Sequence, residues 1–129
     1  MALTALTDLE RAALELLLAG DHPVLVTLRQ QYAQARLVKR ESNVAGFHCH
    51  FAVDERAPAA APGDFELGDV QADLPGLVNG AGFLLFVRGG RLSTLQGFSY
   101  LEPWPSTLAS FTLSYAELGR ATELAKLSR

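Results

Sequence analysis

Residues 82–100 read GFLLFVRGGRLSTLQGFSY, and this stretch decides the fold. Gly89-Gly90 supplies the two positive-φ positions of a tight hairpin turn, with Arg88 and Arg91 on either side of it. Phe83 to Val87 is apolar at every position, so both faces of that strand are expected to be covered and the strand to lie centrally in a sheet. Counting back from the turn places Val87 opposite Leu92, Phe86 opposite Ser93, Leu85 opposite Thr94 and Leu84 opposite Leu95. The return strand alternates more clearly and is expected to end near Leu101.

Upstream of the hairpin the hydrophobic period changes twice. Thr7-Asp8-Leu9-Glu10 has the T-x-x-E form of a capping box. Leu9, Ala13, Leu16 and Leu17 then recur at helical spacing until Gly20 stops the helix. Asp21 and Pro23 open a second helix, with Val24, Leu25, Leu28, Tyr32 and Ala35 on one face and Arg29, Gln30 and Gln34 on the other. From Leu37 the period is two. Leu37 to Glu41 and Gly46 to Val53 read as strands joined by a turn at Ser42-Asn43. Phe65 to Leu74 reads as a third strand with a bulge at Gly68-Asp69. Phe111, Leu113 and Tyr115 alternate with Thr112 and Ser114 in a last strand, and Leu118 to Leu127 forms a terminal helix or a tail.

A run of helices followed by a run of strands implies an α+β fold without parallel crossovers: two N-terminal helices packed on a five- to six-stranded antiparallel sheet. One domain spans residues 1–129, with a helical part at 1–36, the sheet at 37–116 and the terminal helix or tail at 117–129. A chain of 129 residues with 49% hydrophobic and 19% charged residues has enough apolar surface for one core without disulfides or a structural metal. The single cysteine forms no internal disulfide, and Asp8, Glu10 and Arg11 stand where a signal peptide would be uncharged. A cytoplasmic protein without membrane segments is expected.

The net charge of −3 argues against nucleic acid as a partner, because that binding needs clustered cations on phosphates. The charge is unevenly placed. Arg29, Arg36, Lys39 and Arg40 precede Val53, whereas Asp54, Glu55, Asp64, Glu66, Asp69 and Asp73 follow it.

GFHCHF, residues 46–51, sets two of the three histidines beside the only cysteine. On a strand His48 and His50 share one face while Phe47, Cys49 and Phe51 share the other, so the cysteine cannot join the histidines on one ion. A metal needs a third protein ligand, and His22, Asp54 or Glu55 would have to supply it. The residues point to a core strand with no metal and no cofactor. A small metal-dependent enzyme or metal-binding module built on His48 and His50 is the alternative. Cys49 has no helix N-terminus beside it in sequence to activate it, and Asn79-Gly80-Ala81-Gly82 leads into a strand, which makes it a turn and not a phosphate loop.

Pro103-Trp104-Pro105 holds the only tryptophan in a proline-braced loop. Two roles are open to it: a binding anchor, since tryptophan is enriched at interface hot spots, or a plug for one end of the core. As an anchor it would act together with the acidic residues Asp54, Glu55, Asp64, Glu66 and Asp69.

The segment Gly80 to Pro105, GAGFLLFVRGGRLSTLQGFSYLEPWP, resembles a family of small bacterial proteins. They share a G-F-L-L-F-V hairpin, an L-S-x-L-E-G-F-T-Y-like return strand and a W-P ending. Phe83 to Val87, Leu92 to Leu95, Gly97, Phe98, Tyr100, Trp104 and Pro105 match, while Gln96 stands where such sequences often have Glu. The resemblance carries no catalytic residue. Small acidic proteins of this kind are similar to the immunity proteins of bacterial toxin systems, which implies a binding protein with a basic, toxin-like protein partner and not an enzyme. A homodimer paired through its sheet is a further expectation.

Overall fold

The computed structural model describes residues 6–61, 63–100, 102–105, 110–116 and 124–125. Its elements run α1 (Asp8–Leu17), α2 (Pro23–Tyr32), β1 (Arg36–Asn43), β2 (Gly46–Ala52), β3 (Phe65–Asp73), β4 (Ala81–Arg88), β5 (Arg91–Ser99) and β6 (Thr112–Tyr115). All six strands join one antiparallel sheet in the order β1-β2-β5-β4-β3-β6. The apolar strand β4 is central, as its sequence requires. Most of the expected terminal helix, Leu118 to Leu127, lies outside the described residues.

Local chemistry sets the helix ends. The Thr7 amide donates to the Glu10 side chain at 2.9 Å and the Glu10 amide donates to the Thr7 hydroxyl at 3.1 Å, closing the capping box. At α2 the His22 ring caps instead: Nδ1 accepts from the Val24 amide at 3.2 Å, with Pro23 in the first turn. Both helices cover the same face of the sheet, and Leu14, Leu17, Leu25 and Leu28 are fully buried against Leu67, Phe83, Leu85 and Leu95. No helix among the described residues is long and apolar enough to cross a membrane.

Two expectations about register are corrected. In the β4–β5 hairpin Val87 does face Leu92, but Leu85 faces Leu95, Phe86 faces Thr94 and Leu84 faces Gln96. The cause is the odd spacing of Leu92 and Leu95. A strand of period two cannot turn both inward, so the register slips by one residue at Ser93 and both leucines reach the core. The same logic governs β3, where Leu67 and Val70 are both fully buried and the register shifts between them at Gly68-Asp69, as expected. The second correction moves the first turn. β1 continues through Ser42 and Asn43, and Val44-Ala45 make the turn, held by Asn43 Oδ1 accepting from the Ala45 amide at 2.9 Å.

Three glycines are obligatory. Gly89 and Gly90 have φ of 59° and 76°, the hairpin geometry that side chains disfavour. At Gly46 a Cβ would stand 1.9 Å from the Gly97 carbonyl oxygen, so β2 and β5 come together there only because the side chain is absent.

Candidate functional site

Among the described residues, helices on one face leave the other face of the sheet open, and the two faces divide the GFHCHF motif. Phe47 and Cys49 are buried beneath the helices. His48 and His50 lie on the open face with parallel rings whose centroids are 6.2 Å apart. The β1–β2 register puts Glu41 opposite His48, and its carboxylate reaches diagonally to His50 Nε2 at 2.7 Å; His50 Nδ1 lies 3.2 Å from the Thr94 hydroxyl. The hydrogen bond from His50 holds the Glu41 carboxyl below its ordinary value, with Lys39 adding to the effect. Nothing in the sequence singles out Glu41, because the pairing depends on register. Among the described residues no group of three or more His, Cys, Asp or Glu side chains is placed to hold an ion, and His22 is occupied as the cap of α2.

Cys49 faces an ion pair whose carboxylate is buried. Arg40 grips Glu10 with two nitrogens, Nε at 3.0 Å and Nη2 at 2.5 Å, and the Glu10 side chain is only 4% exposed. Burial, followed by the Glu10 carboxylate, pushes the Cys49 thiol up to about 12. At neutral pH it is a protonated, unreactive core group.

The acidic residues are mostly engaged. Asp54 accepts from the Arg56 amide at 2.9 Å, which is the main cause of its lowered pKa. Glu55 is exposed, and its carbonyl receives Arg91 at 2.6 Å. Asp64 braces the hairpin turn by accepting from the Gly89 amide at 2.7 Å, and Glu66 pairs with Arg88 at 2.9 Å. Asp69 is buried at the β3 bulge, and Asp73 is exposed at the other end of β3. Asp54, Glu55, Asp64 and Glu66 therefore gather at the Gly89-Gly90 end of the sheet.

Trp104 is at the opposite end. Its amide donates to the Val44 carbonyl at 2.7 Å in the β1–β2 turn, and its ring meets Phe47 edge-on at 5.4 Å and 76°. From Phe47 to Asp54 is about 20 Å along β2, so the structure does not bring Trp104 together with the acidic residues Asp54, Glu55, Asp64 and Glu66.

What surrounds Trp104 is a cleft of about 700 Å³ between the start of α1 and the β1–β2 turn. Trp104, Pro105, Phe47, Phe111 and Leu9 form its apolar wall, Arg40 and Glu10 stand on one side, and Thr7, Asp8, Ser42 and Asn43 add polar groups. Its size lies in the range of sites that take a ligand or an anchoring side chain. Half-buried, the indole both packs against the core and lines the cleft. Phe47, Leu9, Phe111, Glu10 and Arg40 are members that sequence reasoning did not group with Trp104. They converge only through tertiary packing of residues far apart in the chain.

No family model, no curated protein and no solved structure matches this chain.

Proposed function

We propose that this chain is a cytoplasmic protein-binding domain without enzymatic activity, and that its partner anchors a side chain in the cleft at Trp104. The observation that carries this reading is the composition of the cleft: an indole braced on Phe47, joined by Phe111 and Leu9, with hydrogen-bonding side chains around them. Hot spots have this anatomy, a half-buried aromatic centre with a polar surround that excludes water. Against an enzymatic role stand the protonated, buried Cys49 and the engagement of Asp54, Asp64 and Glu66 with Arg56, Gly89 and Arg88. The more specific role we propose is an immunity-like one toward a basic protein, supported by the small size and the net charge of −3 that the chain shares with such proteins.

A photo-crosslinking residue at Pro105 in the native host, followed by mass spectrometry, identifies the neighbour, and the purified pair is then titrated. Trp104→Ala is expected to weaken the complex by about 2 kcal/mol or more, while Phe86→Ala on the open face leaves it unchanged. Equal affinity of the Trp104→Ala and wild-type proteins for the crosslinked partner sinks the reading.

A further inference from the structure

β1 is the terminal strand of the sheet. It pairs with β2 on one side, and among the described residues no strand pairs with its other side. Its residues are exposed except for the half-buried Leu37, and the helices pack over β3, β4 and β5. A bulge at Val38 interrupts pairing near the start, which leaves Lys39–Asn43 as a regular stretch of five paired positions. An edge of this kind is a template for one more strand.

The cleft continues from that edge. Arg40, Ser42 and Asn43 of β1 line it together with Trp104 and Phe111. Arg40 and Ser42 pair with Cys49 and Phe47, so they are on the helix side, whereas Lys39 and Glu41 pair with His50 and His48 on the open side. A seventh strand would lie about 4.8 Å beyond β1, and each of its side chains would stand about 5 Å from its β1 neighbour on the same face. Alternate side chains would then project toward the cleft, and the intervening ones would meet Lys39 and Glu41.

Resting on the reading of the cleft as the partner site, we infer that the partner presents an extended segment that adds to the free edge of β1 as a seventh strand. The segment alternates in chemistry: apolar residues on the Ser42 side, one of which enters the cleft beside Trp104, and on the open side an acidic residue beside Lys39 and a basic residue beside Glu41. Charge complementarity selects this pair, because Lys39 and Glu41 share that face of β1 and both are exposed. Arg36 and Lys39 are exposed on this edge, and Lys39 is held only at 3.6 Å by Glu41. In such recognition main-chain hydrogen bonds supply affinity and alternate pockets supply specificity.

The probes are terminally blocked synthetic peptides that alternate charged and apolar residues, with an acidic and a basic position two residues apart, and are long enough to span Lys39–Asn43. One series is N-methylated at alternate positions, which removes the strand hydrogen bonds and leaves the side chains. The expected results are a shift in emission of Trp104, the sole tryptophan, and slowed amide exchange within Lys39–Asn43. At least about tenfold weaker binding is expected for the N-methylated series and for Lys39→Glu protein. Equal binding of methylated and unmethylated peptides, or peptide binding without slowed exchange in β1, overturns the edge pairing. In the second case a shift of Trp104 emission leaves the cleft reading standing. If no peptide slows exchange in β1, or if the protein alone forms a concentration-dependent dimer that protects those amides, the inference is overturned as well, the dimer making a second copy the occupant.

Discussion

Gln31 Nε2, on the last turn of α2, lies 2.7 Å from the carbonyl oxygen of Gly90 at the tip of the β4–β5 hairpin. The same side chain donates to the Pro58 carbonyl at 2.8 Å and accepts from the Leu92 amide at 3.0 Å, and it is fully buried. One amide thus joins the helix layer, the segment around Pro58 between β2 and β3, and the central hairpin, with its donors and its acceptor all used.

Gln31→Leu removes that junction and leaves the buried Leu92 amide unpaired. An unsatisfied buried group costs about 1 to 3 kcal/mol, so urea unfolding is expected to show a loss of that order or larger. Gln31→Glu is expected to be no better, because a carboxylate cannot donate to Gly90 and Pro58. A change below about 0.5 kcal/mol in either variant contradicts the account, since surface substitutions without such a role fall in that range.

The two faces of β4 are expected to respond differently to truncation. Leu85 is fully buried, and Leu85→Ala should cost about 2 to 5 kcal/mol. Leu84 lies on the open face beside Gly68, half exposed, so Leu84→Ala should cost distinctly less in the same denaturant series. Equal losses would mean that the open face is covered.

Cys49 should resist thiol reagents in the native protein. With its thiol pushed up to about 12, almost no thiolate exists at pH 8. Labelling with an aromatic disulfide is expected only at the rate of unfolding, and to become rapid in denaturant. Fast stoichiometric labelling of the folded chain at pH 8 refutes the burial argument.

Glu102 gives the fold an acid-sensitive strap. Its carboxylate accepts from the Asn79 and Val78 amides at 2.9 Å each, and those bonds lower its pKa from the ordinary 4.5. A depressed folded-state pKa contributes stability that is present above the unfolded value and is lost as pH falls through the folded one. Unfolding followed from pH 6 down to pH 3 should show stability declining on the acid side, and Glu102→Gln should flatten part of that decline. An identical pH profile in the variant would contradict the assignment.

Chelator is expected to leave the melting temperature unchanged, both in the wild-type protein and in the His48→Ala, His50→Ala double variant. A structural zinc contributes to folding directly, so a fall in melting temperature on chelation that is absent from the double variant would establish the metal reading of GFHCHF.

Sequence alone determined the parts of this protein that depend on neighbours along the chain. The Thr7–Glu10 capping box, the Pro23 start of α2, the Gly89-Gly90 turn and the inward face of Phe47 and Cys49 are local consequences of side-chain chemistry and strand or helix period. These sufficed for the α+β class and the central place of β4. The hairpin register was beyond local counting, because the slip at Ser93 exists to bury Leu92 and Leu95 together, and that demand comes from the helices packed above them. The site depended on distance in the same way. Trp104 stands out in the sequence, but Phe47, Phe111, Glu10 and Arg40 come to it through the β1–β2 pairing and the docking of α1, while of the acidic residues first grouped with Trp104, Asp54, Glu55, Asp64 and Glu66 lie at the other end of the sheet and Asp69 is buried at the β3 bulge. Contacts between distant segments are selected by core packing as a whole, and no window of sequence contains that information.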